Sequence, residues 1–239
     1  MIEYNSKTSF ASSASRTSTF DSALRDYMVK VYQYMSIALA ISGLVAFMVA
    51  SSPALMQAIF GTPLAFVVML APLGFVIFFG IKLKSISAEK AKSFLWIYSA
   101  LMGLSLATIF AVYTATSITR VFLITASTFG AMSIYGYTTK KDLTSFGSFL
   151  IMGLIGIMIA SIINIFLKSS GLDFAISFLG VFIFIGLTAY DTQRIKQTYY
   201  HFAGNDEMVS KMAVMGALNL YMDFINLFIM LLRFFGERK

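Results

Sequence analysis

The sequence predicts an all-α polytopic membrane protein: seven transmembrane helices, with the last helix central and surrounded by the other six. Three observations carry this. The 239 residues are 58% hydrophobic and 12% charged, with a mean hydropathy of +0.80, whereas a soluble globular domain carries about 25% charged residues. Seven windows reach the ~20 predominantly apolar residues that cross a bilayer. The seventh carries a polar stripe along one face, which has to be shielded from lipid.

The first 24 residues, rich in Ser and Thr, contain no apolar core that would make a secretory signal. They also hold Glu3 and Asp21, unlike an acid-poor transit peptide. Residues 1–24 read as a flexible cytoplasmic tail and residues 25–239 as a single membrane domain. The spans are expected near 29–51, 63–84, 93–114, 117–138, 146–168, 174–194 and 213–235. Pro63 and Pro72 are expected to end or kink the second. The third and fourth are divided only by a brief polar interruption between Thr114 and Arg120. The Gly153/Gly156 pair in the fifth reads as a close helix contact. The longest break, QTYYHFAGNDEMVSK, reads as a loop with His201 on its surface.

The charges orient the bundle. With the N-terminus inside, 13 of the 18 Lys and Arg residues fall on the inner side and five (Arg120, Lys168, Arg233, Arg238 and Lys239) outside. The net charge of +7 is therefore a topology signal and not a nucleic-acid footprint. Seven crossings leave the basic C-terminus outside, and a final segment that re-enters without crossing is the alternative. There are no cysteines, so thiol catalysis, disulfides and thiolate metal sites are excluded. No metalloprotease, P-loop or dinucleotide motif occurs, and neither enzymatic activity nor a bound cofactor is expected.

In the seventh window Gly216, Asn219, Asp223, Asn226, Met230 and Arg233 recur at spacings of three and four, which is one helix face. Asn219 and Asn226 suit either hydrogen-bonded helix glue or a hydrated lining. A carboxylate at a membrane helix centre costs roughly 2.5–3.5 kcal/mol, so Asp223 is the functional lead. The second is Asp191, which closes the apolar run of the sixth window. Tyr190 and Arg194 flank it, and Arg194 at i+3 is a candidate partner. If both segments start at the same inner face, Asp223 lies ~15 Å deep. A meeting with Asp191 then needs tilt, a kink, or a deeper Asp191.

AYDTQRIK (189–196) followed by GALNLYMDFINLFIMLLRFFG (216–236) resembles the Bax inhibitor-1 family, also called the transmembrane Bax inhibitor motif family. YGYTTKKDLTSFGSFLIMGLIGI (135–157) and LMGLSLATIF (101–110) are similar to its bacterial branch. The resemblance implies seven helices with the last one central, a bacterial inner membrane location, and a pH-sensitive calcium leak channel. In that reading Asp191 and Asp223 form a hydrogen-bonded pair whose protonation gates the pore, with Ca²⁺ as permeant ion. Some members add an arginine latch in the second helix. Here PLAFVVMLAPLGFVIFFGI holds no charge before Lys82 and Lys84. A different bacterial member interacts with a membrane quality-control protease, so a regulatory protein bound to such a partner is the alternative function.

Two close carboxylates in a poor dielectric do not both ionise readily, so a pair holds one proton between its members. The protonated pair is expected to bridge the last two helices and keep the pore shut. Its loss leaves two repelling charges and an oxygen site for a hard cation such as Ca²⁺, to which Asn219 and Asn226 add carbonyls. An intramembrane aspartyl protease would also share a proton between two aspartates, but LYMD is not the Gly-x-Gly-Asp that such an enzyme carries. A proton-coupled transporter is a further reading of an intramembrane acidic pair.

Overall fold

Polar or proline-containing breaks cut the chain into long helices, because only a helix satisfies its own backbone within lipid. The computed structural model describes the backbone of residues 4–239 and the side chains of residues 21–239 apart from Lys84. The expected tail over 1–24 lies almost wholly outside the described side chains. The helices are α1 (Tyr4–Ala50), α2 (Pro53–Phe60), α3 (Leu64–Lys82), α4 (Ala88–Val112), α5 (Ala115–Thr138), α6 (Thr144–Leu167), α7 (Ser170–Phe202) and α8 (Asp206–Phe235), with a 3₁₀ turn at Leu83–Ser85. All but α2 include a stretch long and apolar enough to cross a bilayer, so the seven expected spans are α1 and α3 to α8.

Side-chain caps make the short breaks possible. Ser87, Thr114, Ser169 and Asn205 each precede a helix and accept a hydrogen bond from its first turn. Thr114 Oγ1 accepts from the Ser117 N–H at 3.2 Å, so the weak interruption between the third and fourth spans is a sharp turn. Two breaks expected as loops are largely helical. The first outer connection contains α2, started by the Ser52 cap and Pro53. The long inner break shrinks to residues 203–205, with Gly204 at φ +97. His201 is therefore an exposed residue in the last turn of α7, not a loop residue. Hydropathy locates the lipid-immersed part of a helix, whereas polar turns can continue it into water.

Pro72 lies inside α3 and does not end it. Proline lacks the N–H that would bond the carbonyl four residues back, which is Val68. Ser105 of α4 donates to that carbonyl at 2.6 Å, so a neighbouring span supplies the missing donor.

Burial is graded. In α8, 67% of the most apolar stretch is buried, against 11% in α3 and in α6. The last helix is thus the innermost. It packs chiefly on α1, α4, α5 and α7, while α3 leans on α4 and α6 on α7 in an outer layer. The ring around α8 is therefore made mainly by four helices and not by all six. The two outer spans are also the most hydrophobic and leave most of their surface to lipid. Close approach comes from glycine: a Cβ at Gly136 would strike the Ala189 backbone of α7, and one at Gly103 would meet the Ser42 backbone of α1. Of the Gly153/Gly156 pair, Gly153 faces Ile183 of α7 and Gly156 faces open space.

At one end of the bundle Gln193 bridges the 139–143 connection: its amide donates to the Lys141 carbonyl, and its oxygen accepts from the Leu143 N–H. Beside it, Asp142 accepts from the Thr144 N–H and hydroxyl, which holds its carboxyl below the ordinary range. At the other end the C-terminus is tied to the α4–α5 turn. The Thr114 N–H donates to the Glu237 carbonyl at 3.1 Å and the Lys239 N–H to the Val112 carbonyl at 2.9 Å. The 30-residue α8 therefore runs from one end of the bundle to the other, and the re-entrant alternative does not describe it.

Candidate functional site

The polar stripe of α8 faces α7 along an antiparallel seam. From the end carrying the 203–205 turn outward, Gly216 packs on Ile195, Asp223 meets Asp191, Met230 packs on Gly180, and Arg233 Nη1 lies 3.6 Å from Asp173 Oδ1. The glycines at 216 and 180 let the two helices approach, since a Cβ at either position would crowd the partner side chain.

This register resolves the depth difference that separated the two aspartates in sequence. α7 continues past Asp191 for about three turns, so Asp191 lies well inside the bundle. The flanking contacts leave Asp223 about one turn farther from the shared turn than Asp191. Side chains lean toward the N-terminus of their own helix. Asp191 therefore leans away from the turn and Asp223 toward it, and the carboxyls converge to within hydrogen-bonding reach.

The environment of the pair is asymmetric. Asp223 is 6% exposed, and no N–H or hydroxyl donor of a described residue reaches its buried Oδ2. Asp191 is half-buried, and the charge of Arg194 acts on it. Arg194 itself is exposed and, among the described residues, forms no ion pair with Asp191 within 4 Å. A buried carboxylate oxygen without a donor is costly, and a proton held between the two aspartates removes that cost.

The other expected site residues divide. Asn219 and Asn226 lie on the seam face, half-buried, with no hydrogen bond to another described residue, so neither acts as helix glue. Tyr190 turns toward α6, where its ring covers Gly147. The missing second-span arginine has no substitute on α3, because α3 packs on α4 and Lys82 is exposed at its end. Among the described residues there is no group of three or more His, Asp or Glu side chains fit to hold a metal ion.

Sequence reasoning missed a polar hub on the opposite side of α8. Ser42 Oγ of α1 lies 2.6 Å from Tyr221 Oη, 2.7 Å from the Ser99 carbonyl and 3.0 Å from the Ala38 carbonyl. Carbonyls only accept, so the single Ser42 proton goes to one of them and Tyr221 donates to Ser42. All four residues are buried, and the hub fixes the rotation of α8 from behind. The available signal was Ser42 and Ser99 standing inside apolar windows.

Seven spans with a carboxylate pair buried between the last two define a multi-pass membrane protein with an intramembrane acidic site. The chain belongs to the Bax inhibitor-1 family: residues 24–239 match the family described as "Inhibitor of apoptosis-promoting Bax1". It is 47% identical to an uncharacterized protein of Rickettsia prowazekii (strain Madrid E) over 239 residues, 100% of each chain. It is 45% identical to inner membrane protein YbhL of Escherichia coli (strain K12) over 218 residues, 90% of this chain and 93% of the relative. An uncharacterized protein of Borreliella burgdorferi is 47% identical over 214 residues, 89% of this chain and 92% of the relative.

Proposed function

We propose that this protein is a pH-gated leak channel of a bacterial inner membrane, with Ca²⁺ as the permeant ion and the Asp191–Asp223 pair as its sensor. The observation that carries the reading is the convergence of two carboxyls across the α7–α8 seam, one of them with an oxygen that no neutral donor reaches. Asn219 and Asn226 on the same face, half-buried and without a hydrogen bond to another described residue, are suited to a hydrated path. The YbhL relative, an inner membrane protein by name, supports the location. The distribution of basic residues supports an N-terminus on the cytoplasmic side.

The sign of the pH response follows from linkage. The closed state holds one proton between the aspartates and the open state holds none, so acid favours closure. Arg194 is the one other charged group that acts on the pair among the described residues. The open site is dianionic with hard oxygen ligands, which suits Ca²⁺. Two carboxylates without a third acidic ligand bind weakly enough to let the ion leave, as conduction requires. Calcium flux into liposomes containing the purified protein tests this. Flux should rise as pH increases from about 5 to about 8 and exceed that of a monovalent cation. Equal flux across that range would overturn the reading.

A further inference from the structure

The α7–α8 seam does not end at the carboxylates. About two turns farther along α8, Met230 lies over Gly180, where a Cβ on the glycine would stand 2.9 Å from the methionine Cγ and Sδ. Gly180 is a notch in α7, and the thioether fills it. One turn beyond, Arg233 and Asp173 form the one ion pair between α7 and α8 among the described residues, with both side chains 41% exposed at the rim. Asn226 sits between Asp223 and Met230 on the same face, half-buried and without a hydrogen bond to another described residue. It lies in a short polar stretch bounded by carboxylates on one side and by the thioether on the other.

We propose that the outer half of the seam is a second closure, in series with the carboxylate pair: Met230 in the Gly180 notch is the plug, and the Asp173–Arg233 ion pair is the collar that holds α8 over α7 there. The proposal rests on the α7–α8 seam being the ion path. Methionine is unbranched with three rotatable bonds, so it can leave the notch without a backbone shift. The collar is a partly solvated pair, so it opens readily. A divalent cation arriving from this side competes with Arg233 for the Asp173 carboxylate, which couples arrival of the ion to release of the collar.

The chain has no cysteine, so a single thiol can report access. Asn226→Cys in the full-length protein, reconstituted in liposomes, is exposed to a membrane-impermeant maleimide added on the face carrying the C-terminus. The thiol at position 226 should be protected. Adding Met230→Ala should speed its labelling at least about tenfold, Arg233→Gln should speed it less, and Met230→Leu, which refills the notch, should keep it protected. A labelling rate that is the same with methionine and alanine at 230 would overturn the proposal. As a second readout in the chain with Asn226 intact, Met230→Ala should raise calcium flux at about pH 8 without moving the pH midpoint, and an unchanged flux or a displaced midpoint would also overturn it. Labelling needs no ion movement, so a failure of the channel reading and a failure of the second closure are told apart.

Discussion

Asp223 carries the sharpest chemical demand in the molecule: a carboxyl on the innermost helix, with one oxygen that no N–H or hydroxyl reaches. Asparagine at that position keeps the shape and brings its own donor toward Asp191. Asp223→Asn is therefore expected to fold and to melt no lower than the parent, with a gain of up to roughly 2–4 °C where the new N–H bonds Asp191. A fall of several degrees in a thermal shift measurement would show that the carboxyl is better satisfied than the geometry allows. Both aspartates were legible in the sequence because a charge inside an apolar run is expensive and therefore conspicuous. Arg233 stood out on the polar stripe, but its pairing with Asp173 did not, since charged residues near span ends are ordinary. Tyr221 was not either, because an aromatic residue in an apolar window reads as packing until its hydroxyl is seen 2.6 Å from Ser42.

At the scale of elements, glycine and proline placement decides which helices touch. The Val68 carbonyl is freed by Pro72 and satisfied by Ser105. Ser105→Ala should cost about 1–2 kcal/mol, and much less in a Pro72→Ala background, where the restored N–H at 72 bonds Val68 instead. A double-mutant cycle in the detergent-solubilised protein measures this, and additive costs would contradict it. Gly136 faces the Ala189 backbone, which has no flexible atoms to give way. Gly136→Val should therefore separate α5 from α7 at a cost of roughly 1–3 kcal/mol or more, read as a lower melting temperature, whereas Gly156→Val, which faces open space, should leave it nearly unchanged. The seven spans were readable from apolar length alone. Their ends were not: α7 runs on through TYYHF, and α2 sits in what composition presents as a loop. The outer placement of α3 and α6 was also hidden, because an apolar window looks alike whether it faces protein or lipid.

At the scale of the whole molecule, α8 is gripped on two sides and at one tip. The Ser42–Tyr221 hub holds it from α1 and α4, the polar seam meets α7, and the C-terminal residues are bonded to the α4–α5 turn. In the proposed channel, repulsion at Asp223 would open the seam with α7 while the anchor behind α8 stays in place. The arrangement also fixes which connections share a face. Single cysteines replacing Lys140 and Ala203 should label from the same side of the membrane, and one replacing Lys168 from the other. Labelling of positions 140 and 203 from opposite sides would contradict the seven-span topology. In the proposed channel, the proton shared between Asp191 and Asp223 sets the state of the gate. Calcium flux measured from about pH 5 to about pH 8 in the parent protein, Asp191→Asn and Asp223→Asn tests it most directly. A steep rise with pH is expected in the parent and a flat response in both variants. A pH dependence that survives unchanged in either variant would contradict it.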